Sequence, residues 1–144
     1  MKRLLSISLV ATLMLSMAAC GSVAESDTMT REEMLTIAEE LIISDMRDEI
    51  GTNKAKASLY TGNIYIITAY VAAIEYDYAL LDHNGSHVIN IRAYLPSDDL
   101  VNLTEGNRIT IVGEMGEYDV EERQTAQYTL SYPYFEMRNV YLVE

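Results

Sequence analysis

"NIYIITAYVAAIEYDYALLDHNGSHVINIRAYL", residues 63–95, decides how the rest of the chain is read. Its first half is β-branched, aromatic or alanine and has no helical spacing. It predicts a strand too long to stay flat, so one that bends. Asn84-Gly85 is a strong signal for a two-residue hairpin turn. Such a turn pairs His83 with Ser86, Leu80 with Ile89, Tyr78 with Ile91 and Asp77 with Arg92. Opposed residues share a face of the sheet. Tyr76, Tyr78, Leu80, Ile89, Ile91, Ala93 and Leu95 are then the expected core side. Asp77, Ala79, Leu81, Val88, Asn90, Arg92 and Tyr94 form a mixed outer side.

The flanks extend this pattern. "PSDDLVNL", residues 96–103, reads as a short helix with Pro96 near its start. "EGNRITIVGEMGEYD", residues 105–119, is a turn and a fourth strand with Ile109 and Ile111 facing one way. "VEERQTAQ", residues 120–127, reads as a polar loop. "YTLSYPYFEMRNVYLV", residues 128–143, is a fifth strand with a possible interruption at Pro133. Upstream, Thr30 and Glu33 have capping-box spacing. Met34, Ile37, Ala38, Leu41, Ile42, Met46 and Ile50 follow at helical intervals, predicting a helix over 30–52 with Gly51 near its stop. "NKAKASLY", residues 53–60, adds a short helical stretch. The expected fold is mainly β: a five-stranded OB-fold barrel over 53–144 with an N-terminal helix.

Residues 53–143 resemble the tRNA-anti-like OB-fold domains of bacterial lipoproteins. The resemblance rests on Asn53, Ala57, Tyr60 and Gly62 ahead of the first strand. It continues in "LTEGNRITIVG", with Leu103, Gly106, Ile109, Ile111 and Gly113, and in the apolar closing strand. Ala69 departs from the family, which usually has glycine at that place in the first strand. The resemblance implies a fold and carries over no catalytic residue.

The opening "MKRLLSISLVATLMLSMAAC" has a basic start, an apolar run and small residues before Cys20, the only cysteine. This is the layout of a secretory signal, and the run is short for a membrane-spanning helix. "MAAC" is similar to a bacterial lipobox, with Met17 in place of the preferred leucine. The similarity implies lipid on the Cys20 thiol and cleavage before it. The division expected is then 1–19 signal peptide, 20–29 lipidated cysteine and tether, 30–52 helix and 53–144 OB domain. The protein would sit in the cell envelope, extracytoplasmic and anchored to the membrane through Cys20.

Without residues 1–19, all 22 acidic residues remain and the ten basic ones fall to eight, a net charge of −14. Such a chain is repelled by nucleic acid, so no nucleic-acid partner is expected. With Cys20 lipidated, no disulfide is available.

Catalytic motifs of the GxSxG, P-loop and HExxH kinds are absent from the sequence, and the expected protein is not an enzyme. Asp82, His83 and His87 cluster near one turn and are of zinc-ligating type. Solvated turn residues are the simpler reading, and neither metal nor cofactor is expected. "EMGEYDVEER", residues 114–123, lacks the spacing of a calcium loop. Arg92, Tyr94, Tyr118, Tyr128, Tyr132 and Tyr134 could gather where OB folds take ligands. Tyrosine offers contact area and a hydroxyl, suiting peptides or sugars. It also simply fills strand faces. The function expected is binding of an envelope protein or peptide, with a carbohydrate or cell-wall ligand as the alternative.

Cys20→Ser should remove both processing and lipid. Mass spectrometry of the native N-terminus should show a diacylglycerol-modified cysteine in the parent protein. Unchanged membrane retention and processing in the variant would contradict the lipobox reading.

Overall fold

The computed structural model describes residues 28–83 and 89–143. The leader, Cys20, the Asn84-Gly85 turn and His87 lie outside the described residues. The fold is mainly β. Helix α1 (Arg31–Ile37) leads to strand β1 (Glu39–Glu40), helix α2 (Ile43–Thr52) and a 3₁₀ helix (Lys54–Leu59). Then come β2 (Ile64–Ile74), β3 (Ala79–Asp82), β4 (Asn90–Ala93), α3 (Ser97–Leu100), β5 (Arg108–Gln124) and β6 (Thr129–Val143). They form a six-stranded sheet in the order β1-β2-β3-β4-β6-β5, and β5 also pairs with β2.

The capping box forms as the sequence implies. Glu33 N–H donates to Thr30 Oγ1 at 3.3 Å, and Thr30 N–H donates to the Glu33 carboxylate at 2.8 Å. The helix over 30–52 does not run through. It breaks at Ala38, which is extended, and Glu39–Glu40 join the edge of β2 in parallel. Periodicity supplies the reason. At about 100° per residue, an unbroken helix would set Ile43 roughly opposite Met34. The break lets both be buried, together with Met46 and Ile50. Ile37 and Ile42, expected on the apolar stripe, are instead about half exposed, at 53% and 50%.

Strand β2 alternates as a half-buried strand should, with Tyr65, Ile67, Ala69 and Val71 inward. Its first part pairs antiparallel with β5, from Ile64 opposite Glu114 to Tyr70 opposite Arg108. Its second part pairs with β3, and the register slips between Val71 and Ala73. The long strand therefore changes partner at a bulge, which falls after Ala69.

The hairpin register expected from Asn84-Gly85 is wrong by three residues. Leu81 stands opposite Ile91, Leu80 opposite Arg92 and Ala79 opposite Ala93. An odd slip turns every side chain of a strand to the other face. The β4 assignment holds, but β3 is inverted: Ala79 and Leu81 are fully buried, while Tyr78 and Leu80 face outward with Arg92. Packing explains the choice. The small Ala79–Ala93 pair and the Leu81–Ile91 pair all reach 0% exposure. The two-residue turn would have left Ala79 and Leu81 outside. Asp77 is exposed and does not meet Arg92.

The polar loop expected at 120–127 is also corrected. Val120–Gln124 continue β5, and β6 starts at Thr129. Thr125 and Tyr128 close the turn, with Thr125 N–H donating to Tyr128 O at 2.9 Å. Pro133 does not interrupt β6. Among the described residues it lies where β6 pairs only with β5, just before the parallel pairing with β4 begins at Tyr134, so its missing N–H breaks no second ladder there.

Motif residues serve the chain path. Asn53 Oδ1 accepts from Ala55 N–H at 3.1 Å at the start of the 3₁₀ helix. Gly62 has φ +81° and its N–H donates to Met115 O at 2.7 Å. A Cβ on Gly113 would come within 3.0 Å of Arg138 O, so the strands approach there only because the side chain is missing. Tyr60 packs edge-on against Phe135 and donates its hydroxyl to Glu49 at 3.0 Å. Burial, then the Glu49 carboxylate, push its pKa up to about 12.

Leu81→Ala should cost about 2–5 kcal/mol in denaturant unfolding, as for a buried leucine. Leu80→Ala should cost about 1 kcal/mol. The reverse ranking would restore the short-turn register.

Candidate functional site

The outer face of β3 and β4 and the β5–β6 ribbon converge on one groove. On β4, Ile91 and Ala93 take the core positions, so Asn90 and Arg92 point the other way. The inverted register brings Leu80 of β3, and Tyr78 just before it, beside them. The ribbon sets Glu121 opposite Tyr132 and Asp119 opposite Tyr134, and its alternation brings Arg123 to the same side. Tyr78, Leu80, Asn90, Arg92, Glu121, Arg123, Tyr132 and Tyr134 line a space of about 200 Å³, with Ala73 and Glu75 at its margin.

Arg92 is the centre of this groove. Its guanidinium carbon lies 3.6 Å from the Tyr134 ring centroid and 5.4 Å from that of Tyr78. One terminal nitrogen binds the Glu121 carboxylate. The other Glu121 oxygen accepts from Arg123 Nε at 2.8 Å, and Arg123 lies 5.3 Å from the Tyr132 centroid. Glu121 thus bridges two guanidiniums, and each guanidinium covers a tyrosine. Tyr94 stands 5.7 Å from Tyr78, centroid to centroid, with its hydroxyl 3.5 Å from Glu136. Tyr134 donates to Asp119 at 3.3 Å.

The electrostatics follow from these contacts. Hydrogen bonds from Arg123 and then Arg92 hold the Glu121 carboxyl below its usual value, and Glu121 in turn raises Arg123. Burial raises the Tyr94 and Tyr134 hydroxyls. The groove sets the guanidiniums of Arg92 and Arg123 against the carboxyl groups of Glu121 and Glu75.

Four of the six expected ligand residues therefore meet: Arg92, Tyr94, Tyr132 and Tyr134. Tyr118 does not join them. It packs against Phe135 at 5.2 Å and faces a separate groove of about 360 Å³ beside Ile50, Lys54 and Pro133. Burial raises its hydroxyl too. Tyr128 is 60% exposed at the ribbon's turn, away from the groove. Tyr78, Glu121 and Arg123 were not anticipated. Tyr78 was assigned to the core by the short-turn register, and the two charges were hidden in a supposed loop. The signal available was period two: Glu121 and Arg123 alternate in step with Tyr132 and Tyr134 of the partner strand.

Asp82 is buried and His83 half-buried at the end of β3. Among the described residues no group of three His, Cys, Asp or Glu side chains is placed to hold a metal. Among the same residues no helix is long and apolar enough to cross a membrane. No protein-family model and no curated protein matches the chain.

Glu121 has a depressed pKa, so its contribution to stability exists above its usual value of 4.5 and is lost as pH falls through the folded value. Glu121→Gln should destabilise by at most about 1 kcal/mol at neutral pH, the carboxylate being partly solvated. The difference should shrink as pH falls below 4.5 and vanish only once pH has fallen through the lowered folded value. A gap in unfolding midpoint that is independent of pH would show that the carboxylate charge is not what holds the two arginines.

Proposed function

We propose that the protein is a lipid-anchored, extracytoplasmic binding module of the OB type, which holds a segment of an envelope protein or peptide at the Arg92 groove. The strand order supports the OB reading. The strands β2, β3, β4, β6 and β5 pair in succession, β5 returns to β2, and α3 joins the third of these strands in the chain to the fourth. The "MAAC" junction at Cys20 supports the anchor and the location, and the tRNA-anti-like resemblance agrees with both.

One observation carries the site assignment: Arg92 is held between Tyr134, Tyr78 and Glu121 on the outer face of the second and third OB strands. OB folds take ligands on that face, bordered by the loop between the fourth and fifth strands. Here that loop is the β5–β6 ribbon, and it supplies Glu121, Arg123, Tyr132 and Tyr134. Rigid aromatic and arginine side chains in a recess are the side chains that dominate protein recognition. Among the described residues the groove holds no nucleophile–base pair, which favours binding over catalysis.

Nucleic acid is disfavoured on charge. The processed chain has net charge −14, and both arginines of the groove already share Glu121. Labelled single-stranded DNA and RNA should show no saturable binding below about 1 μM at roughly 50 mM salt, where true binders gain strongly. Salt-sensitive binding in that range would overturn the reading.

A photo-crosslinking amino acid at Tyr132, introduced in the producing cell, tests the groove directly. It should yield one discrete envelope-protein adduct that is lost in the Arg92→Ala background. The same probe at Thr68, on the exposed face of β2, should yield none. Equal adducts from both positions, or an adduct indifferent to Arg92, would sink the site assignment.

A further inference from the structure

Two polar atoms of β4 inside the groove have no partner. Asn90 is only 4% exposed, and its side-chain oxygen accepts no hydrogen bond. The Nε of Arg92 is buried and donates none, although the same guanidinium binds Glu121 through a terminal nitrogen. Buried polar groups are nearly always satisfied, so an unmet acceptor beside an unmet donor marks a place for a ligand. The two residues alternate with Ile91 and so stand on one side of the strand, about 7 Å apart along it. Both line the same recess.

The surroundings define what fits. Two cations and two carboxylates line the groove: Arg92, Arg123, Glu121 and Glu75. A charged ligand group would disturb this balance, and a neutral one would not. A sugar ring needs an open aromatic face. Here guanidiniums lie over Tyr134, Tyr78 and Tyr132. What stays open is one donor and one acceptor, the complement of an amide.

We infer that Asn90 and Arg92 read a backbone amide of a bound extended peptide. Arg92 Nε–H donates to the amide carbonyl, and the amide N–H donates to Asn90 Oδ1. This rests on the reading of the groove as a peptide site and adds the chemistry by which it selects.

The test is an NMR titration of the isotope-labelled protein as isolated from the producing cell. The probes are acetyl-trialanine N-methylamide, its all-ester trilactate counterpart in which oxygen replaces every N–H, and N-acetylglucosamine. The peptide should shift the Arg92 Nε–H resonance and bind about tenfold more tightly than the ester, because the ester leaves Asn90 Oδ1 unmet. Asn90→Ala should bring the peptide down to the affinity of the ester. Asn90→Asp, which keeps an acceptor, should retain the preference and shows that the first variant acts through the lost acceptor, not through misfolding. Equal affinity for peptide and ester, or a preference that survives Asn90→Ala, overturns the inference and leaves the peptide site standing. Tighter binding of N-acetylglucosamine at the same resonances overturns both in favour of a carbohydrate site. If no probe moves the Tyr78, Tyr132 or Tyr134 ring signals, the site itself is refuted along with the inference.

Discussion

Strand β2 serves two partners, and the rest of the structure depends on that. It lies against β5 from Ile64 to Tyr70 and against β3 from Tyr70 to Ile74. The slip between Val71 and Ala73 lets one strand do both. Because β5 and β3 are held to the same strand, β4 and β6 must meet between them, and they do so in parallel from Asn90–Tyr134 to Ala93–Met137. That pairing brings Arg92 under the ribbon. Phe135 and Met137, both fully buried, are the apolar contacts that secure it from the core side.

The Arg92 cluster is then a consequence of the closed pairing, and its energy is modest beside that of the core. The Arg92 side chain is 17% exposed and that of Glu121 34%, so the pair is drier than an ordinary surface ion pair but not fully desolvated. Removing either partner leaves the other charge in a recess with few alternatives. The cluster's main effect is positional. It clamps the ribbon over the β3–β4 face and holds the Arg92 guanidinium in place.

The sequence was most legible where one physical signal acted alone. β-Branched and aromatic content placed β2, alternation placed β4 and its buried face, and the capping box placed the start of α1. The short helical stretch expected over 53–60 stands as the 3₁₀ helix Lys54–Leu59. The sequence misled where two signals competed. Asn84-Gly85 is a strong turn pair, yet burial of Ala79 and Leu81 outweighed it and inverted β3, which moved Tyr78 from the expected core to the groove. The N-terminal stripe looked continuous, but one helical face cannot bury both Met34 and Ile43. Glu121 and Arg123 looked like loop because Tyr132, which stands opposite Glu121 and under the Arg123 guanidinium, belongs to another strand. Half of the groove was therefore visible in Arg92, Tyr94, Tyr132 and Tyr134, and the half that required cross-strand register was not.

The register that places Arg92 can be measured directly, as interstrand nuclear Overhauser contacts of backbone protons in solution. The account predicts cross-peaks between the Leu80 and Arg92 strand positions, between Thr68 and Thr110, and in the parallel pattern between Arg92 and Glu136. Contacts between Tyr78 and Ile91 in their place, or the absence of the β4–β6 set, would contradict it.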